Sequence, residues 1–156
     1  DRLLALYEKV AEAPDAVQAG DDLLKCIADL LQHYCRQSDV AGRFGGDEFI
    51  ILLQQADEKT ASQVARRIQE GFDAELHRIN GPDNIEAPVT MSMGMACLNH
   101  RTTRDPEQLI AQADHALYRA KQAGKNRMVI YRAGTGENAD QPVDLHKPGS
   151  SNRLAI

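Results

Sequence analysis

Leu23, Leu24, Ile27, Leu30, Leu31 and Tyr34 recur at helical spacing, so the pattern predicts an amphipathic helix over residues 21 to 34, opened by Gly20 and Asp21. Val40 to Phe44 and Phe49 to Leu53 are rich in strand formers, and Gly45-Gly46-Asp47-Glu48 between them has the composition of a glycine-turn hairpin. Asp57 is placed to cap a second helix, on which Ala61, Val64, Ala65, Ile68, Phe72 and Leu76 form another apolar stripe. His77 to Ala87, with its Asn, Gly, Pro and Asp, reads as a loop. Val89, Met91, Met93 and Met95 alternate with Thr90, Ser92, Gly94 and Ala96, the period of a strand with one apolar face on which the methionines fill a core. Asp105-Pro106-Glu107-Gln108 joins an N-cap, a proline at the first helical position and a capping-box Gln, and opens a third helix that closes near Gly124. Leu109, Ala113, Leu117 and Ala120 give that helix its buried face, and Met128 to Tyr131 form a last short strand.

The expected order is therefore helix, hairpin, helix, strand, helix, strand. An α/β layer built only from these strands lacks a central partner, which points to a first strand not among them. The opening DRLLALYEKVAEAPDAVQAG is rich in helix formers and reads as helical until Pro14 stops it. Residues 133 to 156 carry Gly, Asn, Asp, Pro and Ser with little apolar content and read as a flexible tail.

Composition narrows the function classes. The 156 residues are 42% hydrophobic, enough for one domain with a core. A net charge of −5 gives no basic bias toward a nucleic acid polymer or an anionic membrane, so any phosphate-bearing ligand must be held locally. Runs such as FIILL fall well short of the roughly 20 residues of a membrane helix. Cys26, Cys35 and Cys97 are an odd number without CxxC spacing, as expected of reduced structural thiols in a cytoplasmic protein. The first residue is Asp1, so a preceding segment is expected, as in the cytoplasmic part of a longer signalling chain that a membrane anchor could precede.

The chemistry concentrates at the hairpin tip. Gly45 and Gly46 alone describe a tight turn, but Asp47 and Glu48 follow at once. Hard carboxylate oxygens suit Mg²⁺ or Mn²⁺, and a backbone without side chains lets a polyphosphate approach it. Together they describe a metal and nucleotide site.

RFGGDEF, residues 43 to 49, resembles the signature of the GGDEF family of diguanylate cyclases. GDDLLKCIADLL, VTMSMGMA and ADHALYRAKQAGKNRMVIY resemble further segments of that family in the right order, so the resemblance covers about residues 20 to 132. It implies a 1–19 atypical head, a 20–132 GGDEF domain and a 133–156 tail. The implied fold is α/β of the α+β sandwich kind: a palm-like nucleotidyl cyclase domain, βαββαβ plus an extra hairpin, with helices flanking a mainly antiparallel sheet. The implied activity is condensation of two GTP into cyclic di-GMP by two domains meeting as a homodimer. Carried over, Asp47 is the metal ligand, Glu48 lies near the attacking hydroxyl, Gly45 and Gly46 pass under GTP, and Asp21 accepts from the guanine edge. Lys121 and Lys125 match cations on the terminal phosphates; Lys125 stands where the family usually has Arg, a point charge in place of a two-pronged donor. A solvated helix end, where cations complement the dipole, is the plainer account of both lysines.

Arg36-Gln37-Ser38-Asp39 resembles the family's RxxD inhibitory site for product, and Arg67 matches a further arginine that reaches it. Arg can bond guanine O6 and N7 or a phosphate, and Asp can accept from guanine N–H groups; an ordinary surface ion pair is the alternative. The head departs from the family pattern. Aligned without a gap, Lys9 falls on the family's lysine but Glu12 replaces its guanine-reading Asn and Leu4 its metal-binding Asp; with an insertion, Tyr7-Glu8 stands for Asn-Asp. Two classes stay open: an active cyclase with product inhibition, and a catalytically degenerate GGDEF domain that acts as a cyclic di-GMP receptor.

Overall fold

Proline is tolerated where a helix begins, because its missing N–H would be unpaired there anyway. In the computed structural model, which describes residues 14–80, 89–98, 105–132 and 142–143, the first described helix, α1 (Pro14–Tyr34), starts at such a proline. Pro14, expected to end a helix, begins one, and Gly20 and Asp21, expected to open the helix, lie inside it. Glycine in a helix interior costs about 1 kcal/mol, a deficit that the Leu23 to Tyr34 apolar stripe offsets by packing α1 on α2. His77 to Asn80, expected in a loop, continue the helix that ends at Asn80; the expectations for residues 1–13 and 81–87, and for the tail apart from Pro142–Val143, lie outside the described residues.

The chain divides into two compact units, Asp1–Pro82 and Asp83–Ile156. In the first, α1 is followed by β1 (Val40–Gly45), β2 (Glu48–Leu52) and α2 (Glu58–Asn80). The strands form an antiparallel hairpin with Val40 opposite Leu52 and Gly45 opposite Glu48, and the register shifts between Arg43 and Gly45. Asp57 caps α2 as expected, its carboxylate accepting from the Thr60 N–H at 2.8 Å. Where α1 meets α2 the core holds Leu31, Ala61, Ile68 and Phe72, the last two only 1% exposed. Burial of side chains this size contributes about 1.5–3 kcal/mol each. Val40, Phe44 and Leu52 are instead 57%, 67% and 49% exposed.

The second unit holds β3 (Met93–Met95), α3 (Pro106–Gln122), β4 (Met128–Ile130) and β5 (Pro142–Val143). β3 and β4 pair in parallel, Met93 opposite Met128 and Met95 opposite Ile130, as α3 crosses over between them. β5 adds antiparallel to β4, within the segment read as a flexible tail. The strand expected over residues 89 to 96 is ladder-paired only at Met93–Met95. At Gly94 an added Cβ would lie 2.2 Å from the Ala113 carbonyl oxygen and 2.2 Å from the Leu117 nitrogen, so α3 rests directly on the strand backbone. Ala116, Ala120 and Val129 form the buried centre of this unit, with Tyr131 packed against it. Asp105 caps α3, its carboxylate accepting from the Glu107 N–H at 2.7 Å.

Candidate functional site

Two antiparallel strands joined by two residues need a turn that matches their twist, which calls for positive φ and hence glycine. The turn residues are Gly46 and Asp47, and Gly46 has φ +45°. Arg43 braces the turn from the strand, its Nε donating to the Gly46 carbonyl at 2.7 Å. Gly45 is different. Its φ is not left-handed, and an added Cβ would meet nothing within 4 Å. Neither conformation nor packing inside the chain asks for glycine at this position.

Asp47 and Glu48 are exposed at the tip, Asp47 in the turn and Glu48 as the first residue of β2. Among the described residues the Asp47 carboxylate makes no hydrogen bond or ion pair, so it is available to a ligand. No group of three or more His, Cys, Asp or Glu is gathered to hold a metal among the described residues. The hairpin tip thus offers one uncommitted hard oxygen donor with Glu48 beside it, which fits a divalent cation that also takes oxygens from phosphate.

A groove of about 450 Å³ runs between α1 and the hairpin, lined by Asp21, Leu24 and Lys25 on one side and Gly42, Arg43 and Phe49 on the other. That volume lies within the range of small-molecule sites. Asp21, although it sits in a helix rather than at its mouth, is therefore brought to the same groove as the hairpin. Asp21 is exposed and lines this groove together with apolar residues and Arg43, a surface that can take a flat base with N–H donors on its edge.

Arg36 and Asp39 close the turn between α1 and β1. Asp39 accepts from the Arg36 N–H through Oδ2 at 2.8 Å and from the Gln54 N–H through Oδ1 at 3.1 Å, while its own N–H donates to the Arg36 carbonyl at 2.9 Å. One carboxylate oxygen thus closes the turn and the other ties it to Gln54, just after β2. Sequence reasoning gave Asp39 a ligand role or a surface ion pair; its bracing role could have been read from an Asp in the short turn between a helix and a strand, one residue before the strand. Arg36 and Arg67 are exposed, Arg36 in the turn and Arg67 on α2. At two nearby thiols, burial, then the Asp39 charge, pushes the Cys35 pKa up, and burial, then Glu75, does the same at Cys26.

In the second unit, Lys121 lies in the last turn of α3 and Lys125 just past it, both exposed. Lys125 has φ +61° and Asn126 has φ +51°, two left-handed residues directly after Gly124 at φ +110°.

A family model described as "Diguanylate cyclase, GGDEF domain" matches residues 17–127. Diguanylate cyclase DosC of Escherichia coli is 37% identical over 115 residues, which make up 73% of this chain and 24% of that protein. The chain thus spans about a quarter of that relative's length. The active GGEEF domain of a diguanylate cyclase from Vibrio cholerae superposes with a TM-score of 0.59 at 31% identity, covering 73% of this chain and 69% of that one. The coiled coil and GGDEF domain of DgcB from Caulobacter crescentus, solved in complex with c-di-GMP, gives a TM-score of 0.62 at 18% identity, covering 80% and 63%. The α+β fold that the sequence implies is the fold of these domains.

Proposed function

The chain belongs to the GGDEF family of diguanylate cyclases, and on that premise we propose that it condenses two GTP into cyclic di-GMP as half of a homodimer. Each domain holds one GTP. The 3′-oxygen of each nucleotide attacks the α-phosphate of the other, a P–O bond forms as the bond to pyrophosphate breaks, and two pyrophosphates leave. Asp47 would hold a Mg²⁺ or Mn²⁺ ion, which supplies charge neutralisation at the reacting phosphate. Gly45 and Gly46 let the triphosphate lie against the main chain, Asp21 accepts from guanine in the α1 groove, and Glu48 stands near the attacking hydroxyl. Lys121 and Lys125 hold the terminal phosphates as point charges.

The observation that supports this reading most is Gly45: a glycine that the local geometry does not require, close to the Asp47 carboxylate, which has no partner among the described residues. A side chain omitted without internal reason leaves room for something outside the chain. Arg36 and Arg67 are assigned to cyclic di-GMP as product, with Asp39 holding the Arg36 turn in shape. That braced turn also supports the second reading, a cyclic di-GMP receptor without turnover.

The test is incubation of the full chain with GTP and Mg²⁺, with cyclic di-GMP quantified by chromatography. Product that disappears in Asp47→Asn supports the cyclase. No product from a folded dimer, with cyclic di-GMP binding that is lost in Arg36→Ala, replaces it with the receptor.

A further inference from the structure

Helices commonly end on one left-handed glycine, and α3 does so: Gly124 at φ +110° follows the Ala123 cap, and the Lys125 N–H donates back to the Ala120 carbonyl at 3.0 Å. That motif is complete with one left-handed residue. Here two more follow, Lys125 and Asn126, neither of them glycine. For a lysine this conformation is sterically unfavourable, and asparagine tolerates it better. Unfavourable backbone persists only where surrounding bonds over-determine it.

Those bonds come from two side chains. Ser92, just before β3, accepts from the Asn126 N–H through Oγ at 3.2 Å. Arg127 reaches back along the turn, its Nε donating to the Lys125 carbonyl at 2.9 Å and its guanidinium lying 3.2 Å from where a Gly124 Cβ would be. The Arg127 carbonyl in turn accepts from the Met93 N–H at 2.9 Å, at the start of the β3–β4 ladder. Lys125 is thus held by a bond to its own carbonyl and by another to the next residue's amide. Its side chain stays exposed.

We propose that Ser92 and Arg127 are positioning residues for nucleotide binding: they fix the left-handed turn that presets Lys125 for the terminal phosphates of GTP. The inference rests on the cyclase reading above, in which Lys125 meets those phosphates. It adds that the lysine's reach depends on two side chains that touch no nucleotide. Presetting matters more for lysine than for arginine, because a flexible stem with a point-charge head loses more freedom when it grips.

The experiment compares binding of 3′-deoxy-GTP, which cannot turn over, with binding of GMP, which lacks the terminal phosphates. Wild type, Ser92→Ala, Ser92→Thr, Arg127→Met and Lys125→Ala are titrated calorimetrically with Mg²⁺ present. Ser92→Ala and Arg127→Met are each expected to weaken 3′-deoxy-GTP about five-fold, the worth of one hydrogen bond, with GMP unchanged. Ser92→Thr, which keeps the hydroxyl, is expected to bind like wild type. Adding Ser92→Ala to Lys125→Ala should weaken binding no further, since the residue it positions is gone. Unchanged 3′-deoxy-GTP binding in the single variants, or equal weakening of GMP, overturns the inference while leaving the cyclase reading intact. A wild type that binds neither nucleotide overturns both. Should Ser92→Ala fail to fold, Arg127→Met carries the same comparison.

Discussion

Replacing Gly94 by alanine tests how closely α3 rests on β3. The new Cβ would stand 2.2 Å from the Ala113 carbonyl oxygen, 2.2 Å from the Leu117 nitrogen and 2.7 Å from the Leu117 Cα. All three are backbone atoms, so no side-chain rotation relieves the clash and the helix must retreat by about 1 Å. That retreat loosens Ala116 and Ala120, both 0% exposed, from Val129. Overpacking a core costs about 1–3 kcal/mol, and an obstacle made of helix backbone puts this case near 3 kcal/mol. For a chain of this size the corresponding fall in Tm is about 6–12 °C. The assay is thermal unfolding followed by circular dichroism, with Gly45→Ala as the companion variant. At Gly45 the added methyl meets nothing within 4 Å, so stability should move by less than about 0.5 kcal/mol while GTP binding falls. A Gly94→Ala protein that melts within about 1 °C of wild type would refute the packing argument. A Gly45→Ala protein that keeps full GTP affinity would refute the bare-tip argument.

Asp39→Ala removes two accepted hydrogen bonds, at 2.8 and 3.1 Å, and should cost about 1–2 kcal/mol in urea unfolding; Arg36→Ala should leave stability unchanged and abolish cyclic di-GMP binding, measured by titration. The Asp57 pKa is lowered by the Thr60 side-chain and backbone hydrogen bonds. A depressed carboxyl stabilises above its unfolded pKa of about 4 and loses that contribution as the pH falls through the folded value. Asp57→Asn should therefore flatten the loss of stability below about pH 4 in an acid titration. Burial pushes the Cys26 and Cys35 thiols up, so both should resist alkylation by iodoacetamide at neutral pH in the native chain and react on unfolding, as mass spectrometry would show.

What the sequence made legible was whatever local pattern decides. The hairpin, the Asp57 and Asp105 caps and the stop of α3 at Gly124 follow from turn and capping chemistry within a few residues. α1 starts at Pro14 and not at Gly20, because proline, which breaks a helix interior, is tolerated in a helix's first turn, and the local pattern does not tell the two apart. The seating of α3 on Gly94 is a contact between residues 94 and 117 that no local pattern encodes. At the site, residue types announced Gly45, Gly46 and Asp47, whereas the shared groove of Asp21 with the hairpin and the bonds of Asp39 to Gln54 and of Ser92 to Asn126 depend on partners far along the chain.

The hairpin has one more consequence. Among the described residues its ribbon is two strands wide, and Val40, Phe44 and Leu52 stand open to water on it. Unpaired strand borders with greasy flanks recruit other extended chains by backbone bonding, so solutions of the chain should lose monodispersity first through this ribbon. A charged residue in place of Val40 would act as a gatekeeper there, at the far end of the ribbon from the Gly46–Asp47 turn.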